Sequence, residues 1–313
     1  MHAMRFHSFG PDTKIFCDEI GTPVPVGAQV LVRQEGSSLN YIDLMIRAGG
    51  YPRLDADALP YCGGRDVAGR VEALGPEADP ALLGAFVIGL PEIDRGSFAD
   101  YIVMNPSELC VVPDATLTQV GAAGLGALPL VALTAWQGLH DHGCIAQGQR
   151  VLITGGSGGV GHLAIQIAKA AGAEVWALAS DANQAMLSQM GADHALSYQD
   201  PEWDEGLPAF DMVLDLAGGA TLARSLATLR EGGRLVSAVA PPDEVAAKAR
   251  GLAYAQFFIA QASGAQLAPI VELVGAGQLR VHISETYPLA ELEAAQTRFK
   301  AGGLRGKLAI SFD

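Results

Sequence analysis

The chain has 313 residues, half of them hydrophobic and 17% charged. That apolar content excludes intrinsic disorder, and at roughly 150 residues per domain the length predicts about two domains. The net charge of −14 comes with Lys and Arg scattered singly, which excludes a basic nucleic-acid grip and disfavours an anionic membrane surface. Thirty-eight glycines occur without a three-residue period, which excludes collagen and predicts many tight turns. Cys17, Cys62, Cys110 and Cys144 form no CxxC pair, which argues against a zinc knuckle or a disulfide scaffold. Met1 to Pro11 holds no apolar leader core and no run of about 18 apolar residues occurs, so no membrane span and a cytoplasmic location are expected.

The first third reads as β-rich. Val30-Leu31-Val32, Val67 to Leu74 and Phe86-Val87-Ile88 are short strands bounded by Gly and Pro, which predicts a compact, partly closed β domain. One helix is expected near Tyr41 to Ala48, with Asn40 as its cap. The apolar stretch Val120 to Trp136, broken by Pro129, reads as buried helix and loop. His140 and His142 read as a helix end rather than a metal pair.

After Pro113 the pattern changes. Val151 to Thr154 is an apolar strand, and Val160 to Ala171 sets Val160, Leu163, Ala164, Ile167, Ala168 and Ala171 on one helical stripe. Val175 to Ala179 is a second strand and Asn183 to Met190 a second helix. Strands at Met212 to Leu216 and Arg234 to Val239 flank a helix at Thr221 to Leu229, and Lys307 to Phe312 is a final strand. Continuous apolar strands alternating with helices predict an α/β fold with a doubly wound parallel sheet. The apolar segment Leu252 to Ile259 is the expected edge strand, and pairing of that edge predicts a homodimer.

Gly156-Ser157-Gly158-Gly159-Val160-Gly161 fits G-x-G-x-x-G between a predicted strand and a predicted helix. In that setting the first Gly permits the tight turn, the second lets backbone N–H groups approach a pyrophosphate, and the third lets helix pack on strand. The motif predicts a nicotinamide dinucleotide. The tip of the second strand reads Ala179-Ser180-Asp181-Ala182-Asn183. An acid at the tip would hold an NADH ribose, whereas Ser180 can donate to the 2′-phosphate of NADPH. Ser180 can equally be a helix cap, Asp181 stands next to it, and no Arg or Lys is near, so NADPH is expected with NADH left open.

The chain resembles the medium-chain dehydrogenase/reductase superfamily, and within it the zinc-independent quinone oxidoreductases, or zeta-crystallin-like proteins. The resemblance is carried by Leu39-Asn40-Tyr41-Ile42-Asp43, Arg47, Gly50-Tyr51-Pro52, Gly64-Arg65-Asp66-Val67-Ala68-Gly69-Arg70-Val71, Gly96 to Tyr101, Leu133-Thr134-Ala135-Trp136, Val151 to Ala173, Gly191-Ala192-Asp193 and Arg305-Gly306-Lys307. It implies a GroES-like β-rich catalytic domain from 1–115 and 268–313, with a Rossmann domain at 116–267 and a nicotinamide cofactor in the interdomain cleft. It implies that Asn40, Tyr51 and Thr134 face nicotinamide and substrate. Tyr51 is then a donor to a carbonyl oxygen or a packed ring, Asn40 is also read as a helix cap, and Tyr41 is cleft wall rather than catalytic. Cofactor contacts are implied at Asn40, Thr134, Gly156, Ser157, Gly158, Gly159, Val160, Gly161, Ser180, Asn183, Tyr198, Ala238, Val239, Phe257 and Lys307. Zinc alcohol dehydrogenases of the superfamily carry Cys where Asn40 stands and His where Arg65 stands, and the third ligand and the structural four-cysteine lobe are missing too. No zinc is therefore expected. The quinone reductases often place a Lys near Asn183 for the 2′-phosphate, and this chain lacks it. The implied activity is NADPH-dependent reduction of a small-molecule quinone or α,β-unsaturated carbonyl. The alternative is a non-catalytic NADPH-binding sensor, assembly subunit or crystallin-like protein.

Overall fold

The computed structural model describes residues 1–312 and has an α/β architecture. In chain order, the first third holds β1 (His2–Phe6), β2 (Phe16–Glu19), β3 (Val30–Ser38), α1 (Tyr41–Arg47), β4 (Tyr61–Cys62), β5 (Val67–Leu74), β6 (Phe86–Gly89), β7 (Tyr101–Met104), β8 (Leu109–Val111) and α2 (Asp114–Leu125). Next come α3 (Pro129–Trp136), β9 (Arg150–Thr154), α4 (Gly161–Ala170), β10 (Glu174–Ala179), α5 (Gln184–Gln189), β11 (His194–Ser197) and β12 (Phe210–Asp215). The remainder is α6 (Gly219–Ala227), β13 (Leu229–Ser237), α7 (Glu244–Ala249), β14 (Tyr254–Phe257), α8 (Gly264–Gly275), β15 (Ile283–Pro288), α9 (Leu292–Lys300) and β16 (Lys307–Ser311).

Two compact units result. The first comprises Met1–Leu130, Ala262–Gly277 and the chain from Val281 onward; the second comprises Val131–Gln261 and Gln278–Arg280. The expected boundaries at 115/116 and 267/268 therefore fall inside the first unit. Helix α2 lies against β3 so closely that a Cβ on Gly36 would sit 2.2 Å from the Ala122 carbonyl oxygen. Helix α2 is apolar and rich in Gly and Ala, and it packs within the first unit.

In the first unit a seven-stranded sheet runs β15-β16-β3-β5-β6-β8, with β7 also paired to β3. A second sheet has the order β2-β1-β4. Val30, Val32, Val67, Val71, Val87 and Met104 form one core, with β-branched side chains suited to a pleated surface. Strand β16 closes the sheet antiparallel to β3, with Ala309 opposite Ser38. Strand β3 thus runs past the expected Val30–Val32, because Gln34 to Ser38 find partners in β5 and β16.

The second unit has six parallel strands in the order β11-β10-β9-β12-β13-β14. The chain goes outward from β9 to β11, then restarts beside β9 at β12, so the strand order reverses between β9 and β12. That is the doubly wound arrangement, which places ligands beyond the carboxyl ends of the strands. Helix α4 buries Leu163, Ala164, Ile167 and Ala168 as its stripe predicts. Two expected boundaries shift. Leu229 opens β13 opposite Phe210 rather than ending the helix before it. Strand β13 stops at Ser237, not Val239, because the Ser237 hydroxyl accepts the N–H groups of Val239 and Ala240 at 3.2 Å each and turns the chain. The expected edge segment carries β14, at the end of the sheet, with Phe257 and Ile259 exposed. No single helix among the described residues is long and apolar enough to cross a membrane.

The Gly36 contact makes a direct prediction. Gly36→Ala should lower stability by roughly 1–3 kcal/mol, the usual cost of overpacking a rigid backbone contact. Urea unfolding checks it, and a variant as stable as wild type contradicts the packing described.

Candidate active site

The strands of the second unit end in one row. Register aligns Leu178 with Thr154, Ala179 with Ser197, Asp215 with Ser237 and Ser237 with Phe257. Gly156 to Gly161, Ser180, Tyr198, Ala238, Val239 and Phe257 lie on or just beyond that row, so the structure brings these predicted residues to one edge of the sheet. Thr134 belongs to the same unit, on α3, and is buried.

The glycine loop works one residue earlier than the motif predicts. The left-handed turn is at Gly155, with φ +64°, not at Gly156. A Cβ on Gly156 would meet Leu187 Cδ2 at 2.8 Å, so this glycine lets the loop approach α5. A Cβ on Gly161 would meet the Gly155 carbonyl oxygen at 2.2 Å, which is the close helix-on-strand packing expected there. Gly158 differs: its Cβ would meet only the Gly155 oxygen, at 3.3 Å. Nothing else crowds Gly158, and the N–H groups of Ser157, Gly159, Val160 and Gly161 have no partner among the described residues, whereas those of His162, Leu163 and Ala164 are taken by Gly158 O and Val160 O. Such a cradle fits a pyrophosphate. The residues that would hold a dinucleotide are this loop and the neighbouring strand tips.

At the tip of β10, Asn183 Nδ2 donates to Ser157 Oγ at 3.1 Å and to Ser180 Oγ at 3.0 Å. One amide therefore ties the glycine loop to the strand tip. Tyr198 sits alongside: its N–H donates to Ala179 O, and the residue is 54% exposed. Asp181 is exposed, and its N–H donates to the Gln199 side chain. Sequence reasoning missed Asp215. This fully buried carboxylate accepts from Thr154 Oγ1 at 2.8 Å, Ser237 Oγ at 2.9 Å and Gly218 N at 3.1 Å, clamping the ends of β9, β12 and β13 where the strand order reverses. An acid ending an apolar strand, with Thr and Ser ending its neighbours, was the available signal.

In the first unit, Asn40 and Lys307 come together around a buried carboxylate that the sequence did not single out. Asp66 accepts from Asn40 Nδ2 at 2.7 Å, Leu130 N at 2.7 Å and Ser38 Oγ. Lys307 Nζ lies 3.7 Å from Asp66 Oδ2 and donates to Leu39 O at 2.8 Å and to Asn40 Oδ1. Asn40 caps α1, as expected, and its N–H donates to Asp43 Oδ2 at 2.8 Å. Both amide atoms of Asn40, and the ammonium of Lys307, are thus engaged inside the protein. Burial lowers the Lys307 ammonium from its ordinary value, partly offset by Asp66 and Asp43. Burial pushes the Asp43 carboxyl up to about 7, against the lowering effect of the Asn40 N–H. Tyr51 is not part of this cluster. Its ring packs with Phe6, Ile46 and Tyr61, and its hydroxyl has no protein partner among the described residues. Burial pushes the Cys62 thiol up to about 12, which makes it unreactive. His142 Nδ1 bonds the Tyr254 hydroxyl at 2.7 Å, and the His140 ring packs tilted against Trp136. Among the described residues, no group of three His, Cys, Asp or Glu side chains converges to hold a metal.

Comparison with known proteins gives this geometry a family. Residues 27–114 match the model described as alcohol dehydrogenase GroES-like domain, and residues 190–310 the model described as zinc-binding dehydrogenase. A chloroplastic quinone-oxidoreductase homolog of Spinacia oleracea is 30% identical over 99% of this chain and 98% of its own. The chain belongs to the quinone oxidoreductase-like family of the medium-chain dehydrogenase/reductase superfamily. The quinone oxidoreductase of Homo sapiens is 27% identical, over 99% of this chain and 97% of its own. The solved quinone oxidoreductase of Coxiella burnetii superposes with a TM-score of 0.88 at 30% identity, covering 99% of each chain. This oxidoreductase is an enzyme with GroES-like and Rossmann-type parts, and its family uses NAD(P)H.

The Asp43 environment predicts a pH dependence of stability. A carboxyl raised above its unfolded value holds its proton more tightly when folded, so it favours folding at low pH, and that contribution fades as pH rises through about 7. Lys307, lowered when folded, acts in the opposite sense. Comparing wild type with Asp43→Asn isolates the carboxyl. From pH 5 to 8.5 the wild type should lose roughly 2 kcal/mol relative to the variant in urea unfolding. A constant difference contradicts the raised carboxyl.

Proposed function

We propose that this oxidoreductase is an NADPH-dependent, zinc-independent reductase that adds hydride to quinones or α,β-unsaturated carbonyls. The observation that carries the reading is the strand tip: Ser157, Asn183 and Ser180 form a neutral, hydrogen-bonded group where an acid would repel a 2′-phosphate. The Ser180 and Tyr198 hydroxyls offer donors to that phosphate, with the Asn183 amide holding Ser180 in place, and the N–H groups of Ser157, Gly159, Val160 and Gly161 at the start of α4 offer donors and positive potential to the pyrophosphate. When bound, the dinucleotide supplies the hydride.

The substrate class follows from the donor chemistry of the first unit. Asn40, locked between Asp66 and Lys307, and Arg65, whose guanidinium has no lone pair to give, make a poor zinc site. Without a strong Lewis acid, the substrate must itself spread incoming negative charge. Quinones and conjugated enones do so through their extended π systems, and the protein needs only to orient them and donate hydrogen bonds. The relatives named quinone oxidoreductase, at 27% to 30% identity, support the same class.

Asp181 beside the tip, and the lack of a Lys or Arg there, weaken phosphate discrimination. A charge-assisted contact contributes roughly 1.5–3 kcal/mol, so NADPH should be preferred over NADH by about tenfold to a hundredfold in kcat/KM, less than a basic pocket would give. Ser180→Asp should move the preference toward NADH. Steady-state kinetics with a naphthoquinone, a phenanthrenequinone and a 2-alkenal check both statements. A wild type that prefers NADH would assign the ribose to Asp181, and no turnover with any acceptor would contradict the substrate class.

A further inference from the structure

Arg65 is 7% exposed, yet its Nε and Nη1 atoms are buried without a hydrogen-bond partner, and its guanidinium forms no ion pair among the described residues. A guanidinium offers five N–H donors in a planar fork and stays charged, so burying it unpaired is costly. The acids of the buried Asn40 network do not relieve it. Asp66 is engaged by Asn40, Ser38, Leu130 and Lys307, and Asp43 takes the N–H groups of Asn40 and Gly64. The Tyr61 hydroxyl donates to Ile93 O at 2.6 Å. The acids of the buried Asn40 network are thus taken by other donors, and Arg65 is left as a buried cation with open N–H groups.

Its surroundings tie the cation to the residues expected to face substrate. Arg65 directly precedes Asp66, which holds the Asn40 amide. Its charge is also felt at the Tyr61 hydroxyl, whose ring packs with Tyr51. A buried cation with open donors is suited to an oxygen that becomes negative during reaction.

We propose that Arg65 is the oxyanion partner of the substrate: its guanidinium donates to the quinone or enone oxygen on which negative charge accumulates. The inference rests on the function proposed above. The added hydride brings its electron pair to carbon, the carbonyl π pair moves onto oxygen, Arg65 holds that oxyanion, and solvent later supplies the proton. The same group should bind a substrate-like molecule that is already an oxyanion.

The probe is 2-hydroxy-1,4-naphthoquinone, a quinone that is an enolate anion at neutral pH, titrated calorimetrically into the full chain with NADP+ present. Wild type should bind it, Arg65→Met at least about tenfold more weakly, and Arg65→Lys in between, since Lys keeps the charge without the fork. Removing an oxyanion donor should also lower kcat for a neutral naphthoquinone by about a hundredfold to a thousandfold, with the NADPH Kd unchanged. Arg65→Met should melt no lower than wild type, because it removes an unpartnered buried charge; a cation with a purely structural role would show a loss. Equal binding of the hydroxyquinone by wild type and both variants, or no binding by wild type, overturns the proposal. Retained Arg65-dependent binding without turnover of any quinone or enone would instead refute the catalytic reading while leaving Arg65 an anion-binding residue.

Discussion

The first unit depends on the buried carboxylate of Asp66. It carries no exposed surface and gathers Ser38 at the end of β3, Asn40 at the start of α1, the backbone at Leu130 and Lys307 at the start of β16. Those groups lie far apart in the chain; Lys307 and Leu39 are 268 positions apart. A buried charge is tolerated only when paired and hydrogen-bonded, so satisfying Asp66 specifies how the C-terminal strand returns to the N-terminal sheet. The network also immobilises the Asn40 amide, turning it from a group that could move with a ligand into part of a rigid wall.

Asp215 has the same role in the second unit. Its two oxygens are taken by Thr154, Ser237 and the backbone at Gly218, at the one place where the strand order reverses. Parallel strands need their ends held so that the loops beyond them keep a fixed spacing, and the glycine loop leaves β9 directly after Thr154. In both units a wholly buried acid organises the backbone. Arg65 stands out against that background as a buried cation, among the described residues, whose N–H groups the fold leaves without partners.

Much of the second unit was legible in the sequence because its strands are continuous apolar runs and its helices are periodic. Val151 to Thr154, the glycine loop and the stripe of α4 all read correctly, with the turn displaced by one residue to Gly155. Strand β11 was not legible, since His194 to Ser197 lies at a sheet edge and carries no apolar run. The change of pattern after Pro113 does not coincide with the division of the two units, since α2 packs with the first. The site was legible as motif letters: Asn40, Ser180 and Gly158 stand in recognisable patterns. The partners that set their roles were not, because hydrogen bonds between distant residues leave no local pattern. Lys307 was expected at a cofactor and is found holding Leu39 and Asn40. The openness of Arg65 emerges only when the partners of Asp66 and Asp43 are accounted for.

The central claim is direct hydride addition to a conjugated acceptor, and isotope transfer tests it most directly. The enzyme would be given NADPH carrying deuterium at nicotinamide C4, in separate reactions for each face, with a 2-alkenal as acceptor, and the product examined by mass spectrometry. The account predicts a saturated aldehyde with deuterium on the carbon β to the carbonyl, from one face of the nicotinamide only. Product without label on carbon, or consumption of NADPH without any reduced alkenal or quinone, would contradict it.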